Sequence, residues 1–180
     1  MRKNKSEHLF AIPDEEYLEV LDAEHAPLML MPRRQALPQK LPLKVVLIVV
    51  RNNSGKIYIH KRSEKKSTYS GAWGVSAAGY VKAGESFEEA ALRETAEELG
   101  VTNVHLKLAA MTEPTPDTDN SLVALFISNP AHLIITPDAS EIAAGMFVDK
   151  DELDALMSDM SELLSPALKW AYSACDLFGV

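Results

Sequence analysis

Three glutamates lie close together in the middle of the chain, at a spacing that could bind a metal ion. Glu94, Glu97 and Glu98 are three and four positions apart, so on an α-helix they would share one face. Carboxylates packed this closely repel one another unless a positive charge lies among them. Hard divalent cations such as Mg²⁺ prefer oxygen ligands of this kind. The cluster therefore favours a metal-binding face over a surface helix whose glutamates pair with basic neighbours.

The residues around this cluster predict the helix that would carry it. Ser86 and Glu89 form the S-x-x-E pattern of a capping box at a helix N-terminus. Good helix formers continue to Leu99, and Gly100 supplies a stop. We therefore expect a helix that begins after Ser86, ends at Leu99 and turns part of its apolar side to the core.

Residues 79–101, GYVKAGESFEEAALRETAEELGV, resemble the Nudix box, G-x5-E-x7-R-E-U-x-E-E-x-G-U, in which U is a bulky aliphatic residue. The positions in register are Gly79, Glu85, Arg93, Glu94, Glu97, Glu98 and Gly100. Val101 is the final U, whereas Thr95 stands at the first. Because Thr is β-branched and close to Val in shape, we expect a packing adjustment there and intact chemistry. A motif of this length is far more specific than a lone glycine pattern.

The resemblance implies a metal-dependent hydrolase, since Nudix enzymes hydrolyse a nucleoside diphosphate linked to another group X. Its partner would be a small nucleotide or diphosphate substrate. Glu97 and Glu98 would be the main ligands of Mg²⁺ or Mn²⁺, and Glu94 would act as ligand, general base or both. A backbone carbonyl near the first box glycine, from Ala78 or Gly79, would join the metal shell.

The other box residues would shape the site, by the same resemblance. Arg93 would grip the carboxylate of Glu85 across the turn, because an arginine fork can hold a carboxylate through two hydrogen bonds. Gly79 would give the loop a shape that other residues resist, and Gly100 would end the helix.

Family members often supply one more carboxylate from a later loop. Glu141, in the DASEIAAG segment before the last strand, is the first candidate. Glu113, Asp117 and Asp119 are rivals. For each of them a solvated loop acid is an equally good interpretation.

Two kinds of residue ahead of the box could bind substrate. Arg62 could hold phosphates, together with Lys61, Lys65 and Lys66 in the same basic stretch. Trp73 could stack on a base. The alternatives are a solvated basic loop and an aromatic ring that packs beside a core strand.

The segment before the box resembles the Nudix branch that is similar to isopentenyl-diphosphate isomerase. The resemblance rests on Arg62, Ser63, Gly71, Trp73, Ser76, Ala78 and Gly79. That isomerase needs a catalytic cysteine just ahead of the box region, where this chain has Ser-Ala-Ala at residues 76–78. We therefore favour a hydrolase. The alternatives are an isomerase-like enzyme and a Nudix-fold protein that binds a nucleotide without hydrolysis.

Composition narrows the class of protein further. The chain has 180 residues, 47% hydrophobic and 24% charged, which suits one globular domain. A net charge of −8 argues against duplex nucleic acid as a partner. The single cysteine, Cys175, allows no intramolecular disulfide, and no apolar run is long enough for a signal peptide or a membrane span. We expect a cytoplasmic protein that does not engage a membrane, with a homodimer as a candidate assembly.

The order of elements predicts an α/β fold. Helices are expected at 87–99, 151–157 and 166–178, and strands at 17–21, 27–31, 43–50, 56–62, 73–78, 105–112, 122–128, 132–136 and 145–148. Strands on both sides of one central helix, with further helices at the end, indicate an α/β/α sandwich with a mixed β-sheet, as in Nudix proteins. We predict a single Nudix domain over residues 43–180, preceded by an extension, residues 1–42, that carries an N-terminal β-hairpin.

Overall fold

The computed structural model describes residues 15–115 and 118–179. Nine strands are formed by these residues: β1 Tyr17–Leu21, β2 Pro27–Pro32, β3 Lys44–Val49, β4 Ile57–Arg62, β5 Trp73–Gly74, β6 Ala77–Tyr80, β7 Leu106–Thr112, β8 Leu122–Ser128 and β9 Ile142–Val148. Four α-helices accompany them: α1 Arg33–Ala36, α2 Phe87–Leu99, α3 Lys150–Asp159 and α4 Pro166–Ala174. Among the described residues, no helix is both long and apolar enough to cross a membrane.

Two sheets form the centre of the domain. The first has the strand order β6-β3-β8-β7; β3 runs parallel to β8, and the other neighbours are antiparallel. The second is an antiparallel sheet of order β5-β4-β9. The mixed sheet that the sequence predicts is therefore confirmed.

Helices pack on opposite faces of the central strand β3. Because successive side chains of a strand point to opposite faces, Val46 and Ile48 enter a core that includes Ala90 and Ala91 of α2. Leu47 and its neighbours enter a second core with side chains from α3 and α4. Both faces are thus buried, which confirms the α/β/α sandwich in a single domain.

The N-terminal hairpin is also confirmed, since β1 and β2 pair antiparallel. It is joined to the domain by backbone hydrogen bonds, from Leu21 N to Pro42 O and from Ala83 N to Tyr17 O, each 2.9 Å long. Between the hairpin and β3 the chain forms α1 and a 3-10 turn, Leu37–Gln39, neither of which was among the predicted elements. The boundary at residue 42 stays a prediction.

The single strand predicted at 73–78 is wrong, because the segment crosses from one sheet to the other. Strand β5 pairs with β4, whereas β6 pairs with β3. Ser76 lies between them, where its hydroxyl accepts a hydrogen bond from Val50 N (2.8 Å) and donates one to Tyr58 O (2.5 Å). That side chain satisfies backbone groups of both sheets at the point where the chain changes sheet.

Two further elements differ from their predictions. Residues 132–136 do not form a strand: Thr136 N donates to Leu99 O at the end of α2, at 2.8 Å, while Leu133 packs against the first core. The last helix ends at Ala174 rather than near Phe178, since Asp176 Oδ1 accepts a local hydrogen bond from Phe178 N (3.0 Å).

Candidate active site

The box helix α2 is fixed at both ends by its own sequence. Ser86 Oγ accepts a hydrogen bond from Glu89 N (3.2 Å), and Glu89 Oε2 accepts one from Ser86 N (2.9 Å). At the other end Gly100 has a φ of 68° and donates its N–H to Ala96 O, at 3.0 Å. This reciprocal capping confirms the predicted helix bounds and sets the register of the glutamates.

Arg93 joins the loop before α2 to the helix. Its guanidinium holds Glu85 through two hydrogen bonds, Nε to Oε1 at 2.8 Å and Nη2 to Oε2 at 2.9 Å. Nη2 also donates to Tyr80 O (3.0 Å), while Nη1 contacts Glu94 Oε1 (2.6 Å) and Glu97 Oε2 (3.1 Å). Burial by itself would raise the pKa of Glu85, but the hydrogen bond from Arg93 brings that pKa below its usual value. Glu85 is therefore ionised, and its hydrogen bonds with Arg93 fix the loop before α2 to the helix.

Glu98 is the most buried carboxylate of the box face, with only 8% of its surface exposed. Its Oε2 accepts a hydrogen bond from Ala78 N, at 3.3 Å. Burial, followed by repulsion from Glu94 and Glu141, raises the pKa of Glu98 to about 8. Burial also raises the pKa of Glu94, against the opposing effect of Arg93.

Glu97 has a different environment from the other two glutamates of the cluster. Its side chain is 55% exposed, and it contacts Arg93 and, at 3.9 Å, Lys82 Nζ. The shared helical face therefore contains one buried carboxylate, Glu98, one partly buried carboxylate, Glu94, and one that reaches solvent, Glu97.

Gly79 explains how Glu94 comes to lie against strand β6. A Cβ atom placed on Gly79 would overlap the carboxylate of Glu94. Residue 79 must therefore be a glycine, because the carboxylate of Glu94 lies where the Cβ atom of any other residue would be.

The donor chemistry of this face fits a divalent cation. Within residues 15–115 and 118–179, no three acidic, histidine or cysteine side chains converge closely enough to hold a metal ion, and Arg93 contacts both Glu94 and Glu97. Nevertheless, Glu98 is buried, and its pKa is raised first by that burial and then by the charge of the partly buried Glu94. A cation bound between oxygen donors of this kind would relieve that repulsion.

Glu141 is the predicted later-loop acid whose charge acts on this face. Its carboxylate forms an ion pair with Lys66 Nζ, and its charge contributes to the raised pKa of Glu98. Sequence alone left it as one of four candidates.

The rival acids lie elsewhere. Glu113 pairs with Nδ1 of His25, in the turn of the N-terminal hairpin, at 2.9 Å. Asp119 is 3.5 Å from Lys40 Nζ. Asp117 lies outside the described residues.

A cleft of about 950 Å³ opens beside the box, and Ala78 and Gly79 form part of its wall. Arg62, the candidate phosphate-binding residue, lines this cleft, and its Nε donates to Thr68 O at 3.2 Å. Trp73 is not among the described lining residues. It is partly buried against the second core, and its carbonyl accepts a hydrogen bond from Ser165 N (2.8 Å). Trp73 therefore packs against the second core.

Several cleft residues were missed from the sequence. They are Arg33, Lys40, His60 and Tyr80. Lys65 and Lys66, which the sequence offered as phosphate-binding candidates, also line the cleft. The guanidinium of Arg33 lies 5.3 Å from the centre of the Tyr80 ring. Alternation along β6 was a usable signal, because Tyr80 must point to the same face as Ala78. No sequence pattern predicts that α1, through Arg33, forms part of the wall of the cleft.

Comparison with known proteins identifies the family. A model of the NUDIX domain matches residues 40–171, and the chain therefore belongs to the Nudix family.

A Nudix hydrolase of Deinococcus radiodurans is 31% identical over 132 residues, which cover 68% of this chain and 76% of the relative. An uncharacterized Nudix hydrolase of Pseudomonas aeruginosa is 32% identical over 97 residues, 54% of this chain. That match spans only 57% of the Pseudomonas protein. The crystal structure of the Deinococcus radiodurans protein DR0079 superposes with a TM-score of 0.76 at 22% identity, over 89% of this chain and 100% of that one, a likeness that establishes the fold.

Proposed function

We propose that the chain is a metal-dependent hydrolase that cleaves the diphosphate linkage of a nucleoside diphosphate joined to a group X, or of a related nucleotide. The observation that carries this proposal is the position of Glu98 and Glu94. Glu98 is buried, Glu94 is partly buried, and they contact the two residues, Ala78 and Gly79, that also form the wall of the cleft.

Each box residue has a distinct role in this proposal. Glu97 and Glu98 would hold Mg²⁺ or Mn²⁺, with Glu94, the carbonyl of Ala78 and Glu141 as further donors. Such an ion, when bound, neutralises phosphate charge and lowers the pKa of a bound water. Glu94 is also the candidate to accept the proton of the attacking water. Arg93 positions these groups because it holds Glu94 and Glu97 from one guanidinium.

The charge of the cleft supports an anionic substrate. The chain has a net charge of −8, yet five cationic side chains line the cleft: Arg33, Lys40, Arg62, Lys65 and Lys66. Among the described residues, Arg62 and Lys65 form no ion pair with a carboxylate, whereas the other three do. Arg62 and Lys65 are therefore the residues we assign to the phosphate oxygens of the substrate.

The experiment that tests this function is a panel of candidate substrates with and without Mg²⁺. It includes nucleoside di- and triphosphates, ADP-ribose, dinucleotides, NADH and coenzyme A, with release of phosphate, pyrophosphate or nucleotide as the readout. Wild type is compared with Glu98→Gln, which keeps the shape of the side chain and removes its charge. Release that requires both Mg²⁺ and Glu98 supports the hydrolase, and the expected loss in the variant is at least 100-fold.

The same panel separates the alternatives. No turnover of any compound, together with isomerisation of isopentenyl diphosphate, would favour an isomerase-like enzyme. The structure does not favour that outcome, because the described cleft residues include no cysteine, and Cys175 packs against the second core. Tight nucleotide binding without any turnover would favour a non-catalytic Nudix protein.

A further inference from the structure

A buried histidine forms part of the cleft wall away from the box carboxylates. His60, near the end of β4, is 3% exposed, and it lines the cleft. Its direct partner across the sheet is Gly74 of β5. Because the glycine has no side chain, no Cβ atom of β5 covers the ring at this pair, and both residues line the cleft.

The hydrogen bond on the other edge of the ring fixes the position of its proton. Nδ1 of His60 lies 3.0 Å from Ser76 O. A carbonyl oxygen can only accept, so Nδ1 carries the hydrogen, and in the neutral ring Nε2 has a free lone pair.

The surroundings keep the ring neutral. Burial lowers the pKa of His60, and the charges of Arg62 and Lys66 act in the same direction. The hydrogen bond to Ser76 and the charge of Glu141 oppose this shift without reversing it.

The space beside Nε2 is available to a ligand. A Cβ atom on Gly74 would lie 3.7 Å from His60 Nε2 and 3.5 Å from Ser165 Oγ. In the part of the chain that the structure describes, no group donates a hydrogen bond to Nε2. Ser165 Oγ accepts the hydrogen bond that caps α4, from Leu168 N at 3.3 Å, and among the described residues no hydrogen bond joins this hydroxyl to Nε2. Nε2 is thus an unused acceptor at the edge of the cavity.

We propose that His60 accepts a hydrogen bond through Nε2 from an uncharged O–H or N–H group of the substrate, and that it thereby selects substrates that carry such a group. The inference rests on the proposed function of the cleft. Charge narrows the class of ligand. A cationic donor or a metal ion would be repelled by the charges of Arg62 and Lys66. An anionic group would be repelled by the lone pair of Nε2 and has no hydrogen to donate to it. A sugar hydroxyl or the amino or imino group of a base fits both conditions.

The test uses variants of both cross-strand partners. His60→Phe removes the acceptor and keeps an aromatic ring. His60→Gln keeps an acceptor atom at a similar distance from the backbone. Gly74→Ala places a methyl group at ordinary contact distance from Nε2 and needs no unusual backbone angle. We expect His60→Phe and Gly74→Ala to lower kcat/KM by about 10-fold, mainly through KM, and His60→Gln to recover part of the loss.

Matched substrates show which group is recognised. Each nucleotide that wild type hydrolyses is compared with its 2′-deoxy, 3′-deoxy and base-N-methyl forms. Wild type should hydrolyse the form that lacks the recognised donor less efficiently. His60→Phe should hydrolyse that form about as well as wild type does. His105→Gln, at an exposed histidine, is the control and should match wild type.

The outcomes keep the two proposals apart. Turnover that depends on Glu98 but is unchanged in His60→Phe and Gly74→Ala would overturn the role of His60 and leave the hydrolase intact. If no nucleotide is hydrolysed, calorimetry in the presence of a chelator measures the binding of the same nucleotides. Weaker binding by His60→Phe and Gly74→Ala than by wild type supports the role of His60, and equal binding contradicts it. A folded protein that neither binds nor hydrolyses any of these nucleotides contradicts both. Circular dichroism melting verifies that each variant is folded.

Discussion

Arg93 holds Glu85 through two parallel hydrogen bonds, of 2.8 and 2.9 Å, across the loop that precedes α2. The same guanidinium contacts Glu94 and Glu97. One side chain therefore joins strand β6, the loop and the carboxylate face of the helix. This arrangement is more than an ion pair on a surface, because only 18% of the Arg93 side chain is exposed.

The first prediction concerns that guanidinium. Arg93→Ala should lower the free energy of unfolding by about 3 kcal/mol or more, because it leaves the buried carboxylates without their partner. Activity should fall at the same time. Arg93→Lys keeps the charge but cannot form the fork, so it should recover stability only in part. Chemical denaturation and steady-state kinetics measure the two effects, and wild-type behaviour of the Ala variant would refute this role.

The second prediction concerns the close approach at Gly79. Gly79→Ala should displace the carboxylate of Glu94, because the added methyl group would occupy its position. We expect a loss of about 1–3 kcal/mol in stability, as for other overpacked sites, and a fall in kcat larger than any change in KM. If kcat is retained, the position of Glu94 against β6 does not matter for the reaction.

The third prediction links metal removal to pH. In chelator, burial and the charges of Glu94 and Glu141 raise the pKa of Glu98 to about 8 in the folded protein, from the value of 4.5 for a glutamate exposed to water in the unfolded chain. The folded state therefore binds more protons between these values, and its free energy of unfolding must fall as pH rises through that range.

Glu98→Gln cannot titrate at this position. The variant should therefore be more stable than wild type at pH 8 in chelator, by an amount on the order of 2–4 kcal/mol, and the difference should vanish near pH 4. Urea titrations at several pH values measure it. A difference that does not vary with pH would contradict the burial of a repelled carboxylate at Glu98.

The fourth prediction separates the later-loop acids. Glu141→Gln should lower Mg²⁺-dependent activity by roughly 10-fold, because its charge acts on Glu98 and it is a candidate second donor. Glu113→Gln, at the acid that pairs with His25 in the hairpin, is the matched comparison and should leave activity unchanged. Equal effects of the two substitutions would remove Glu141 from the site.

The fifth prediction isolates the helix cap from the chemistry. Ser86→Ala should cost about 1 kcal/mol of stability through the loss of the capping box. Below the melting transition, kcat/KM should stay close to the wild-type value, since Ser86 contacts Glu89 and no member of the carboxylate cluster. A large loss of activity in a folded variant would show that the start of α2 positions the site more strongly than this geometry indicates.

Local sequence determined the helix that carries the carboxylates. The capping pair, the run of helix formers and the final glycine act within a few residues of one another, so the bounds of α2 and the spacing of Glu94, Glu97 and Glu98 followed directly. The hairpin and most strands were likewise predicted from short, mostly apolar runs in the local sequence. The domain boundary and the metal-binding roles remain predictions.

Only the tertiary structure decided the differences between residues of similar type. Glu98 is buried beside Ala78 while Glu97 reaches solvent, and that contrast depends on what packs against each side of α2. Ser76 splits one predicted strand in two because it satisfies backbone groups of both sheets. His60 became a candidate because Gly74 lies opposite it in a neighbouring strand. Contacts between residues far apart in the chain leave no local pattern, so the cleft and its acceptor could be found only in the folded protein.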